Sequence, residues 1–140
     1  MPEARTFVDT NILIYAHDVT ERSKQLEARA VLEELWDRAD GALSTQVLQE
    51  FYNGATRKIP VPLTPPEARG VITDYARWPL VMLDADLIIG ASELEEDLSL
   101  SFWDALIVVA ARQVGADTVL SEDMQHGQLI DDVRIVNPFL

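Results

Sequence analysis

The 140-residue chain contains no cysteine. That excludes a disulfide framework, a thiolate zinc site and a cysteine nucleophile, and it suits a reducing compartment. Bases are scarce: 11 Lys and Arg stand against 24 Asp and Glu, a net charge of −13. Such a chain repels polyanions at long range, so composition argues against a general nucleic-acid binder and towards a basic or apolar protein partner. Only Lys24 and Lys58 among the bases are lysines, which is compatible with adaptation to high salt. No apolar run approaches the roughly 18 to 20 residues of a membrane span. The opening MPEART lacks the apolar core of a signal peptide. A soluble, cytoplasmic protein with no membrane partner is expected. Repeats and low-complexity segments are also missing, and the acid cluster Glu93 to Asp97 reads as a solvated helix face.

What is present is a pattern. Hydrophobic residues make up 48% of the chain, enough for one domain over residues 1–140 with a real core. Short strand-like runs occur at Thr6 to Val8, Ala42 to Ser44, Leu80 to Leu83, Thr118 to Leu120 and Arg134 to Val136. Helical segments lie between them. Residues 21 to 39 place Ala28, Val31, Leu32, Leu35 and Ala39 on one stripe, and Leu87, Ala91, Leu94 and Leu98 form another. Thr64, Pro65 and Glu67 supply an N-cap, a first-turn proline and a capping-box acid, with Pro79 ending that helix and Gly115 ending a later one. IPVPL, residues 59 to 63, reads as an extended connector. Strands alternating with helices predict a layered α/β fold on a parallel sheet with right-handed crossovers. In such a sheet the strand C-termini share one edge with the N-termini of the following helices, and ligands bind there.

Four acids fall on that edge. Asp9, in TFVDTNILIYA, closes the first strand, where it can cap the next helix. Thr10 can take the cap instead, which would leave Asp9 free. Glu50, in TQVLQEFYNGA, borders the buried stripe Val47, Leu48, Phe51 and Ala55, about one and a half turns into its helix. It reads either as a boundary glutamate reaching water or as a side chain facing the crevice. Asp104, in SFWDALIVVAARQVG, precedes an unbroken apolar run from Ala105 to Ala111 that must be buried nearly all round. Ser101 and Asp104 also form an SxxD capping box, and the helix dipole that favours the carboxylate there keeps it ionised for a metal. Asp123 and its neighbour Glu122 follow the fourth strand in TVLSEDMQHG, with Ser121 able to hydrogen-bond an acid or a water; His126 reads as a surface residue. Gathered together, such carboxylates would raise one another's pKa unless a cation neutralised them. Oxygen ligands select hard ions, so Mg²⁺ or Mn²⁺ is expected. Asp84 and Asp86 read as the N-cap and first-turn acid of the helix 84 to 98.

VDTNILIYA, the acid in VLQEF, SFWDALIVVAA and LSEDM, in that order, resemble the PIN domain, and in particular the single-domain VapC toxins of toxin–antitoxin pairs. The resemblance spans Phe7 to about Pro138. It implies a three-layer α/β/α sandwich on a mainly parallel five-stranded sheet of order 3-2-1-4-5. It further implies a metal-dependent acidic site of Asp9, Glu50, Asp104 and Asp123, supported by Asn11 and Ser121, with Glu122 an alternative fourth acid. RNA cleavage, a homodimer and inhibition by a cognate VapB-like antitoxin are implied as well. Two other readings compete. One is a PIN-like module that binds protein or RNA without cutting. The other is a phosphoryl-transfer protein with an Asp after a strand; against it, Lys24 and Lys58 fall in or at the ends of helical segments rather than at a strand end, and the DTN motif lacks the second acid of a DxD nucleophile motif.

Overall fold

The computed structural model describes residues 5–140. Residues 1–4, part of the opening segment considered for a leader peptide, lie outside the described residues. Apolar runs build the sheet: β1 (Arg5–Val8), β2 (Gly41–Ser44), β3 (Leu80–Val81), β4 (Ala116–Leu120), β5 (Leu129–Ile130) and β6 (Val133–Val136). Their order is β3-β2-β1-β4-β6-β5. Every pairing is parallel except β5 with β6. The five expected strands therefore stand in the expected order. The sixth, β5, was not foreseen. It folds back on β6 through Asp131 and Asp132, both in the left-handed region at φ 47° and 69°, where short polar side chains are tolerated.

The helices are α1 (Thr10–Tyr15), α2 (Arg22–Arg38), α3 (Thr45–Arg57), α4 (Pro65–Tyr75), α5 (Ala85–Leu98) and α6 (Phe102–Gln113). The connections from β1 to β2 to β3 run one way along the sheet and the return to β4 runs the other. Right-handed crossovers therefore put α1 to α4 on one face and α5 and α6 on the opposite one. α6 is apolar almost all round because it lies between the sheet and α5; Ala105, Leu106, Ile107, Val108, Ala110 and Ala111 are buried. Two stripe positions differ from expectation. Ala39 is the exposed left-handed cap of α2, and Leu98 is exposed in the last turn of α5, because both lie past the region covered by a neighbour. α4 starts at the Thr64–Glu67 capping box as expected, but it ends at Tyr75, ahead of Pro79. Tyr75 and Trp78 pack edge to face at 4.8 Å, and Trp36 lies 5.1 Å from Trp78. This aromatic cluster covers Gly41, where a Cβ would stand 2.5 Å from the Trp78 ring. Among the described residues no helix is long and apolar enough to cross a membrane.

Candidate active site

Register brings the first two functional residues together. Val8 pairs with Leu120, so the next residues, Asp9 and Ser121, leave the sheet side by side at its C-terminal edge. The Asp9 N–H donates to the Leu120 carbonyl at 3.0 Å, and the Ser121 hydroxyl donates to Asp9 Oδ2 at 2.7 Å. Asp9 is 6% exposed and Ser121 fully buried. Asp9 is not left free by Thr10 as one reading had it: its Oδ1 accepts the Thr10 N–H at 2.7 Å and caps α1. The Thr10 hydroxyl instead donates to Glu50 Oε1 at 2.9 Å, fixing α1 to α3.

Asn11 joins both ends of the edge. Its Nδ2 donates to Asp9 Oδ2 at 3.3 Å and to Asp123 Oδ2 at 3.2 Å, while its Oδ1 accepts the Glu122 N–H at 3.0 Å. The Asp123 N–H donates to Ser121 Oγ at 3.2 Å. Glu122 turns away and pairs with Lys24 of α2, whose ammonium lies 4.7 Å from the centre of the Tyr15 ring. Glu122, then Tyr15, hold the Lys24 pKa above its ordinary value. From the opposite face, α6 brings in Asp104. The Ser101 hydroxyl caps this helix by accepting the Asp104 N–H at 3.1 Å. Asp9, Glu50, Asp104 and Asp123 line one cleft of about 510 Å³, together with Asn11 and Lys58.

The cleft is short of positive charge. Among the described residues the ion pairs are Lys24–Glu122, Arg38–Glu34 and Arg112–Asp131, and none involves these four carboxylates. Burial pushes the Asp9 pKa up to about 6; the bonds from Ser121 and Thr10 oppose this, while Asp123 and Glu50 add to it. Burial also raises Asp104, with Asp123 adding to the rise and Ser101 opposing it. Among the described residues no three or more acids or histidines already stand close enough to hold a cation. The donor chemistry nevertheless fits a hard divalent ion, since every candidate atom is an oxygen and the buried Asp9 lacks a countercharge.

The PIN domain family matches residues 6–129 of the sequence. The chain belongs to the PIN domain family. A search of curated proteins finds no match. Among solved structures, this PIN domain is similar to a toxin–antitoxin complex from Klebsiella pneumoniae, with 20% identity and a TM-score of 0.69 over 95% of this chain and 97% of that one. It is similar to VapC20 of Mycobacterium tuberculosis, a toxin that cleaves the sarcin–ricin loop, with 20% identity and a TM-score of 0.60 over 84% and 91% of the two chains. It is also similar to DNA-bound VapBC from Salmonella typhimurium, with 18% identity and a TM-score of 0.65 over 95% and 97%. At such identities the likeness shows the fold.

The other acids of this PIN domain lie where local signals placed them. Asp84 caps α5 by accepting the Leu87 N–H at 2.9 Å, with Asp86 in the first turn, and neither lines the cleft. His126 is exposed, and its Nδ1 accepts the Asn137 N–H at 2.9 Å. Sequence reasoning passed over Gln46, Asn53, Lys58 and Trp103, all on the cleft wall. Helical spacing from Glu50 would have found the first two: Gln46 lies one turn before it, and Asn53 three residues after. Gln46 is buried and donates through Nε2 to the Trp103 carbonyl at 3.3 Å, tying α3 to α6, while its Oε1 has no partner.

Proposed function

We propose that this PIN domain is a Mg²⁺- or Mn²⁺-dependent endoribonuclease and the toxin of a VapBC-type pair. The observation that carries this reading is that Asp9 and Asp104, remote in sequence and on opposite layers, line one cleft with Glu50 and Asp123, while among the described residues no basic side chain is paired to any of them. Asp9 and Asp104 would hold the ion, with Glu50 and Asp123 completing the shell or orienting the attacking water. When bound, the cation supplies Lewis acidity, lowering the pKa of water and neutralising phosphate charge in an in-line displacement. The chain's own part is placement. Ser121 and Asn11 aim Asp9, Thr10 holds Glu50, Asn11 holds Asp123, and Lys24 draws Glu122 away, leaving Asp123 as the fourth acid. Two similar structures, a toxin–antitoxin complex and a DNA-bound VapBC complex, support an antitoxin partner, which we place across this cleft. We further infer a homodimer acting in the cytoplasm.

Purified protein is incubated with labelled tRNA and rRNA fragments, with Mn²⁺ or with chelator. Cutting is expected only with metal, and Asp9→Asn and Asp104→Asn should abolish it. Ser121→Ala, which removes a bond aiming Asp9, should lower it by about ten- to a hundredfold. Equal cutting by a folded Asp104→Asn protein would sink the assignment. A second reading, a module that binds without cutting, draws on the base-poor cleft, where Lys58 is the basic side chain in the wall. Metal binding with no turnover on any RNA would favour it.

A further inference from the structure

Trp103 stands in the first turn of α6, immediately before Asp104, and is 62% exposed, against 38% for Trp36 and 7% for Trp78. It lines the same cleft as the carboxylates. Phe102 meets it edge on, at 5.3 Å between ring centres and 69° between planes, so the contact is not a parallel stack. The backbone beneath the ring is held by the bond from Gln46 to the Trp103 carbonyl. A large aromatic surface is thus displayed to solvent from an anchored position beside the acids.

That surface answers a difficulty in the charge distribution. An RNA chain usually gains affinity by pairing its phosphates with many bases. Here Lys58 is the basic side chain in the cleft wall and the whole chain carries −13. Stacking of a nucleobase on an aromatic ring needs no net charge and tolerates any base, because every base has a π-face. A paired base in a duplex has both faces covered by its neighbours, whereas an unpaired one can be splayed onto a ring. Asn53, on the same wall, offers an amide to a base edge.

We propose that Trp103 is a positioning residue, the platform on which an unpaired base beside the scissile phosphate stacks. This rests on the nuclease reading above and adds a residue that positions the substrate. Two measurements test it. In a Trp36→Phe, Trp78→Phe protein, Trp103 is the sole indole, and its fluorescence is titrated with a short unstructured RNA and with the same sequence as a blunt duplex. In parallel, kcat and KM for RNA cutting with Mn²⁺ are compared for the native chain, Trp103→Phe and Trp103→Ala, all of native circular dichroism. Saturable quenching by the single strand alone is expected. Trp103→Ala should raise KM between about fivefold and a hundredfold with kcat within about twofold, and Trp103→Phe should recover most of the loss. If Trp103→Ala cuts with the native KM, or duplex is cut as readily as single strand, the stacking proposal is overturned while the nuclease reading stands. If single strands quench the indole but no RNA is cut, the nuclease reading falls and the platform stands. Fluorescence unchanged by every RNA overturns the proposal and assigns the ring to a protein contact.

Discussion

Three hydrogen-bond donors surround the Asp9 carboxyl, and among the described residues no basic side chain pairs with it. Its pKa rises from 3.8 to about 6 on folding, mainly through burial. Between those values the folded chain binds the extra proton, so the stability contributed by protonated Asp9 is present at low pH and lost as pH rises through about 6. Two pKa units correspond to about 3 kcal/mol. In chelator, the unfolding free energy of the native chain should fall relative to that of Asp9→Asn by about this amount between roughly pH 4 and pH 7. Adding Mg²⁺ at neutral pH should raise the native midpoint and leave that of the variant unmoved. Parallel pH curves would refute the account. At this scale the sequence disclosed which residues are acids at a sheet edge, but not how they divide the work. A local reading could give the α1 cap to Asp9 or to Thr10; the hydroxyl of Thr10 is drawn instead to Glu50. The choice between Glu122 and Asp123 depends on Lys24, on a helix far away in sequence, and no local pattern encodes that pairing.

Helices were the most legible elements because their ends are written in neighbouring residues. The Thr64–Glu67 box and the caps at Asp84 and Ser101 all formed. The strand β5 escaped notice because two residues carry no periodicity, and its existence depends on pairing with β6. Pro79 misled for a related reason: a proline marks where a helix must already have stopped, and α4 stops earlier as Tyr75 and Trp78 fold over the sheet. This aromatic cover leads to a prediction. Gly41 begins β2, at the sheet edge away from the carboxylates, and a methyl group there would enter the Trp78 ring. Gly41→Ala should cost about 1 to 3 kcal/mol in urea unfolding, as overpacking of a filled core does. RNA cutting at temperatures where the variant is folded should be unchanged. A variant of native stability would show that the ring moves aside freely.

Across the whole molecule, the net charge of −13 acts on any approaching polyanion. Counterion release ordinarily makes nucleic-acid binding weaken steeply with salt. Here salt should help or do little, since it shortens the screening length from about 30 Å at 0.01 M to about 10 Å at 0.1 M and so hides the repulsion. At fixed Mn²⁺, kcat/KM for RNA should stay level or rise over that range; a steep fall would reveal a basic surface that the charge count conceals. The parallel sheet and its crossovers were legible from the alternation of strands and helices, and the strand order from the family resemblance. In the cleft wall, Gln46 and Asn53 follow from Glu50 by helical spacing, but Trp103 was not legible, because it joins them only once α3 and α6 converge across the edge.

The outermost strands, β3 and β5, have two residues each. Margins so short give an incoming chain almost no backbone template, which protects the free protein from edge-to-edge aggregation. The same brevity denies an inhibitor the route of strand addition. On the function proposed above, an antitoxin would gain its hold through side chains instead, and a basic residue of it reaching Asp9 and Asp104 would compete directly with the proposed cation.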